Sequence, residues 1–153
     1  MRISIGSDHR GVQIKSRLVS SLTAAGHAVE DLGTDCEQSV DYPDFASAVC
    51  RRVASGDAER GILICGTGMG MAIVANKFKG VRAANCFDQV MAELCRRHNN
   101  ANVLCLPGDM IGDRPIDELV KIWLVTEFEA GRHERRLEKI IQIEDEHEAG
   151  SGI

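Results

Sequence analysis

No stretch of this 153-residue chain approaches the ~20 consecutive apolar residues that a membrane-crossing helix needs. Positive charge is not in excess either. The net charge is −5, which argues against nucleic acid as a partner. An anionic small ligand would have to be held by a local group of arginines or by backbone amides. The six cysteines, at 36, 50, 65, 86, 95 and 105, include no Cys-x-x-Cys pair. That spacing opposes a zinc knuckle and a thioredoxin-type motif. Met1–Gly6 is too short and too strand-like for a signal peptide, so the expectation is a cytoplasmic protein with reduced thiols. Internal repeats, linkers and breaks in composition are missing too. The chain reads as a single domain over 1–153, with 144–153 a flexible acidic tail. A content of 44% hydrophobic and 27% charged residues suits a folded domain with a real core.

What is present is an alternation of short apolar runs and helical stripes. Arg2–Gly6, Ala28–Leu32, Ile62–Ile64, Val81–Cys86 and Val103–Leu106 read as five strands. Between them Ile14, Leu18 and Leu22 recur at helical spacing, as do Phe45, Ala48, Val49 and Val53, and then Val90, Met91, Leu94 and Cys95. Ala72–Lys77 reads as a helix closed near Gly80. Pro115 suits a helix N1 position, and Ile116, Leu119, Val120, Trp123 and Leu124 supply that helix's apolar face up to Gly131. Arg132 to about Glu148 reads as a last helix with Leu137, Ile140 and Ile141 inward. Strands alternating with helices predict an α/β fold with a five-stranded parallel sheet covered on both faces. Ligands in such sheets bind beyond the carboxyl ends of the strands, at a switch point. If the strand order contains 2-1-3, the loops after strands one and three are neighbours.

The most informative stretch is Gly61-Ile62-Leu63-Ile64-Cys65-Gly66-Thr67-Gly68-Met69-Gly70-Met71. A buried strand ends in a cysteine, three glycines come next at alternate positions, and a helix begins. Glycines let backbone N–H groups approach a ligand, and a helix start favours negative charge. A thiolate is stabilised by the same field. A Walker loop would end in Gly-Lys-Ser/Thr, whereas Gly70-Met71-Ala72 stands here. A dinucleotide fingerprint would space its glycines differently. A phosphatase loop would close on an arginine where Met71 sits. There remains a thiol beside amides arranged for an oxyanion, or, more plainly, a βα turn with a buried cysteine.

Three other groups carry candidate chemistry. Asp8-His9 comes after the first strand and could be a helix cap with a surface histidine. His98-Asn99-Asn100 ends a helix. Arg132 and Arg136 stand one turn apart and share a face, as a solvated basic surface also would.

Taken together, these motifs resemble one family. Gly6-Ser7-Asp8-His9, Asp41-Tyr42-Pro43-Asp44-Phe45-Ala46, Gly61 to Gly68, Ala75-Asn76-Lys77, His98-Asn99, Ala101-Asn102-Val103-Leu104 and Gly131-Arg132-His133 occur in unbroken order over roughly residues 2–141. The pattern is similar to that of ribose-5-phosphate isomerase B and the galactose-6-phosphate isomerase subunits. The resemblance implies a Rossmann-like three-layer α/β/α fold. It also implies a homodimer or dimer of dimers with shared active sites, and a small sugar-phosphate substrate.

Position by position, it implies that Cys65 is the base moving a proton between C1 and C2. The Gly66, Gly68, Met69 and Gly70 segment, with the Thr67 hydroxyl, would stabilise an enediolate. His98 from the partner subunit would open the sugar ring, with Asn99 binding nearby. Asp8, His9 and Tyr42 would contact sugar hydroxyls or phosphate, and Arg132 and Arg136 would hold the phosphate. Some members place a glutamate base where Met71 stands, so this chain is of the cysteine type. Such proton transfer needs no cofactor and no metal.

Two positions depart from the family pattern. Asp109, in the loop Leu106–Gly112, stands where an arginine often binds phosphate, and a carboxylate there would repel it. Arg10 stands where a small residue is usual, and could give a replacement contact. These residues point to a sugar phosphate other than, or in addition to, ribose 5-phosphate, or to an unphosphorylated sugar. A non-catalytic sugar-phosphate-binding subunit is the alternative from another class. A thiol redox protein is disfavoured because no resolving cysteine lies close in sequence to Cys65.

Overall fold

The apolar run Ile62-Leu63-Ile64 is buried on both sides because it lies in the middle of the sheet. The computed structural model describes residues 1–110 and 115–150. Its strands are β1 (Arg2–Ser7), β2 (Ala28–Asp31), β3 (Arg60–Cys65), β4 (Ala83–Asn85) and β5 (Val103–Pro107). They pair in parallel in the order β2-β1-β3-β5-β4. The helices are α1 (Val12–Ala24), α2 (Tyr42–Ser55), α3 (Met69–Ala75), α4 (Gln89–Asn99), α5 (Ile116–Val125) and α6 (Glu134–Gly150).

Alternation along β3 feeds two cores, since successive strand side chains point to opposite faces. Ile62 and Ile64 join Ile3, Ile5, Leu18, Leu104 and Trp123 under α1, α4 and α5. Leu63 and Cys65 join Val49, Cys50, Met71 and Cys105 under α2 and α3. The result is the three-layer α/β/α arrangement expected.

Several local expectations shift. The fourth strand is only the three residues Ala83–Asn85, at the sheet edge. Pro115 occupies the cap position, and its helix stops at Val125, well before Gly131. Residues 144–150, expected as part of a flexible tail, continue α6, where Glu144 accepts a bond from the Gly80 amide at 3.2 Å. Residues 151–153 of that tail lie outside the described residues, as do Ile111 and Gly112 of the Asp109 loop. Of the inward residues expected on the last helix, Leu137 is buried, but Ile140 and Ile141 are 40% and 45% exposed. Trp123, on the apolar face expected for the helix after Pro115, is fully buried against the sheet.

The order β2-β1-β3 puts the switch point between β1 and β3. The chain leaves β1 for one side and later resumes on the other, so the loops after these two strands part and open a crevice.

Candidate active site

Cys65 ends β3 at the sheet's carboxyl edge and is 5% exposed. Two other cysteines that share its core, Cys50 and Cys105, are poorly suited to act as anions. Burial pushes the Cys50 thiol up to about 12 and the Cys105 thiol well above its ordinary value. Cys65 is set apart by the glycine turn on its carboxyl side. The amides of Gly66, Thr67 and Gly68 donate to no backbone acceptor among the described residues. Their carbonyl sides are held by neighbours. Gly108 N–H donates to Cys65 O at 2.7 Å, and Asp109 N–H to Gly66 O at 3.0 Å. Gly68 turns the chain in the left-handed region, φ 73°, and α3 begins at the next residue. Thr67 Oγ1 accepts from Met69 N–H at 3.3 Å, and Thr67 and Met69 are exposed.

Each alternate glycine of this turn is explained by a side chain lying on it. A Cβ on Gly66 would come 2.6 Å from Asp109 Oδ2 and 3.3 Å from Arg10 Nε. On Gly68 it would strike Asn85 Oδ1, and on Gly70 it would lie 2.6 Å from the Tyr42 ring. The loops after β1 and β5, the last residue of β4 and the first residue of α2 thus converge on the turn after β3. Gly68→Ala should cost more stability than Gly80→Ala. Both have positive φ, but a Cβ on Gly80 meets nothing within 4 Å. The Gly80 change isolates the left-handed penalty, ~1–2 kcal/mol. Thermal unfolding of the two variants reads the difference. Equal losses would mean that Asn85 yields freely.

Asp8 is buried beside this turn and is no helix cap. Its Oδ1 accepts from Arg10 N–H at 2.9 Å, and its own amide donates to Ile64 O at 3.2 Å. His9 Nδ1 accepts from Val40 N–H at 3.3 Å, tying the loop after β2 across the crevice. Arg10 and Asp109, expected to act as separate charges, form an ion pair directly over Gly66. The Asp109 hydrogen bond and charge raise the Arg10 pKa above its ordinary value. Neither is therefore a free charge facing a ligand.

The remaining expected residues lie elsewhere. His98 and Asn99 close α4, which returns to the amino ends of the strands, where the Asn102 amide donates to Arg82 O ahead of β4. Cys65 is at the opposite end of β3, five residues or roughly 16 Å along the strand at ~3.3 Å per residue. One chain does not bring Cys65 and His98 together.

At that far end, the His98 and His133 rings stack with centroids 4.3 Å apart and planes 9° apart. Arg132 Nε donates to His133 Nε2 at 3.3 Å. Burial, then the charges of His98, Arg132 and Arg136, lower the His133 pKa. Glu129 Oε2 lies 3.8 Å from His98 Nε2 and 3.7 Å from His133 Nε2, and Arg97 is paired with Glu129. The Arg97 hydrogen bond is the main cause of Glu129's lowered pKa. Ligand-type atoms of His98, Glu129 and His133 fall within 4.8 Å of one another. Yet lone pairs of near-parallel rings do not converge on one ion, and Arg132 already faces His133 Nε2. With Arg132 and Arg136 beside it, the group suits an anion better than a cation. Buried Arg96 braces this end, donating to Thr126 O at 3.2 Å and Ala101 O at 2.6 Å.

Sequence reading missed Asn85, Glu129 and the stacking of His133 on His98. The Glu129–His133 spacing of four was the one available signal for the second of these.

A model of the ribose/galactose isomerase family matches residues 3–140. The chain belongs to that family. It is accordingly an aldose–ketose isomerase. Ribose-5-phosphate isomerase B of Escherichia coli is 43% identical over 94% of this chain and 96% of its own. Among solved structures, ribose-5-phosphate isomerase B of Clostridium thermocellum superposes on this isomerase with a TM-score of 0.93. It is 46% identical and covers 96% of this chain and 99% of its own. The Mycoplasma genitalium ribose-5-phosphate isomerase B with bound ribulose 5-phosphate gives 0.91 and 44%, covering 95% and 97%. Among the described residues of this isomerase, no helix is long and apolar enough to cross a membrane.

Proposed function

We propose that this isomerase converts a small aldose phosphate to its ketose without metal or cofactor, with Cys65 as base and each active site built from two copies of the chain. The observation that carries the reading is the thiol at the end of β3 beside three amides that meet no backbone acceptor among the described residues. A sugar-phosphate substrate is supported by the names of the relatives and by the ribulose 5-phosphate complex of one of them.

In the open-chain aldose, the Cys65 thiolate takes the C2 proton. The electron pair moves to form the C1–C2 double bond, and negative charge collects on O1. The amides after Cys65 and the Thr67 hydroxyl hold that oxyanion. The O2 hydroxyl proton passes to O1, and as the C2 carbonyl forms the proton on Sγ returns to C1, giving the ketose. Donors fixed in advance are worth about 3–4 kcal/mol each where measured in other enzymes. Asp8, His9 and Tyr42 line the crevice for the sugar hydroxyls. The partner's His98 opens the ring, with Asn99 beside it, and Arg132 and Arg136 of that copy hold the phosphate. The separation of the two residue groups along β3 supports this division of labour.

Assembly is supported by apolar side chains left in the open. Met69 and Ile73 on α3, Val90 and Met91 on α4, and Ile141 and Ile143 on α6 are each at least 40% exposed. They give a structural reason to expect a homodimer. A monomeric mass at micromolar concentration with full activity would contradict the shared site. The non-catalytic subunit reading loses ground because Cys65, the free amides and the His98–His133 pair are all present in one sequence.

The Arg10–Asp109 pair bears on substrate choice. It spans the crevice beside the nest and neutralises two charges where a distal phosphate could otherwise reach. We expect activity on a sugar phosphate other than, or in addition to, ribose 5-phosphate. The purified chain, dialysed against chelator, should be run on four- to six-carbon aldose phosphates and on the free sugars. Asp109→Arg is expected to raise relative kcat/KM for ribose 5-phosphate, and Arg10→Ala to harm the preferred substrate more. A strong wild-type preference for ribose 5-phosphate, unmoved by either change, would remove this part of the proposal. Loss of activity on chelation would remove metal independence.

A further inference from the structure

We infer that Asn85, at the carboxyl end of β4, is a positioning residue that aims the third amide of the oxyanion nest; this rests on the reading of that turn as the enediolate cradle. In a trans peptide, C=O and N–H point in opposite directions. Fixing a carbonyl on one side therefore aims the next N–H at the other. Three successive peptides after β3 are fixed in this way. Cys65 O accepts from Gly108 N–H at 2.7 Å, which aims Gly66 N–H. Gly66 O accepts from Asp109 N–H at 3.0 Å, which aims Thr67 N–H. Thr67 O accepts from Asn85 Nδ2 at 3.1 Å, which aims Gly68 N–H.

The first two anchors are backbone amides of the loop after β5, and any sequence folding this way supplies them. The third is a side chain from the edge strand, and a different residue there would remove it. Its orientation is unambiguous. Thr67 O needs a donor, so the amide nitrogen faces it and Oδ1 faces Gly68. That oxygen is buried with no partner among the described residues. An unpaired buried acceptor costs stability. The Asn85 amide therefore keeps an unfavourable oxygen in order to place its N–H on Thr67 O. Oδ1 also occupies the space a Gly68 Cβ would need, so Asn85 and the left-handed Gly68 fit as a pair. The peptide before Gly68 is the one most in need of an external hold, because glycine at φ 73° leaves it free to rotate.

Asn85 does not touch the reacting atoms. Its effect must appear in the transition state and not in ground-state binding. Two variants test it, Asn85→Ala and the isosteric Asn85→Asp, which keeps the shape and replaces the donor with an acceptor. Each is compared with wild type for kcat, KM and affinity for two inhibitors. One is a phosphorylated sugar hydroxamate, which mimics the planar enediolate. The other is the alditol phosphate of equal length, which does not.

Removing an oxyanion donor outright costs about 10²–10³ in kcat in other enzymes, and a misaimed donor should cost less, roughly 10–100-fold. KM and alditol phosphate affinity should stay within about twofold, while hydroxamate affinity falls by about the same factor as kcat. Asn85→Asp should be the more damaged of the two. If Asn85→Ala does not fold, Asn85→Asp carries the test. Unchanged kcat, or equal weakening of both inhibitors, would overturn the positioning role. A wild type that binds the hydroxamate no tighter than the alditol phosphate would overturn the cradle itself and this role with it.

Discussion

Cys65→Ala is expected to lower kcat by about 10³–10⁴-fold, near the upper end of what one positioned base contributes. Exchange of the substrate C2 proton with deuterated solvent should vanish in parallel. The fold should survive, because the side chain lost is one thiol at the margin of the core it shares with Met71 and Cys105. Binding of an alditol phosphate should survive as well, since the nest amides and the arginines remain. Cys65→Ser, which keeps the shape but not the acidity, should stay within about tenfold of the alanine variant, because an alkoxide is far harder to form than a thiolate. Near-normal proton exchange in Cys65→Ala would show that the thiol is structural and that the base lies elsewhere.

The second large effect concerns the shared site. His98→Asn should slow a ring-closed aldose phosphate far more than a four-carbon aldose phosphate, whose esterified O4 cannot close a five-membered ring. Equal slowing would remove the ring-opening role, with His9 and His133 the next candidates. The decisive version mixes two crippled chains. Cys65→Ala and His98→Asn subunits, unfolded together and refolded at equal amounts, form half mixed dimers. Each mixed dimer holds one site with both residues intact and one with neither. Activity on the ring-closed substrate should recover to about one quarter of wild type if an isologous dimer shares its sites. No recovery beyond the two separate variants would place both residues' chemistry within one chain. That outcome would contradict the strand geometry, which sets them at opposite ends of β3.

The contrast between the two ends of β3 also explains the two characters of the proposed site. At the carboxyl end, amides with no backbone acceptor among the described residues lie beside a buried thiol, a setting that suits the negative charge of the proposed enediolate. At the amino end, His98 and His133 stack beside Glu129 and the arginines, in surroundings that keep His133 neutral more readily than a free histidine. A neutral imidazole accepts a proton from a sugar hydroxyl, as ring opening requires. Glu129, held by Arg97, lies 3.8 Å from His98 Nε2 and 3.7 Å from His133 Nε2.

By itself the sequence determined the alternation of strands and helices, because a two-residue apolar period and a 3.6-residue stripe are local properties. It also determined that Cys65 ends a strand and meets a glycine turn, since both are set within ten residues. The order of motifs along the chain was enough to identify the family. What it left open was everything that depends on which loops meet. Arg10 and Asp109 are 99 positions apart, and only the parallel order β1-β3-β5 places them over the same glycine to cancel each other's charge. Asn85 is an ordinary edge-strand residue until the fold lays it against Thr67 O. Trp123 and Ile141 are both apolar and both helical, yet one is buried under the sheet and the other faces out. A stripe identifies a side of a helix that avoids water, and only the packing decides whether the cover is its own sheet or a second copy. The distance between Cys65 and His98 is of the same kind. It comes from the direction in which α4 returns along the sheet, a tertiary fact that sets two catalytic candidates of one sequence at opposite ends of β3 and underlies the proposal of a site built by two chains.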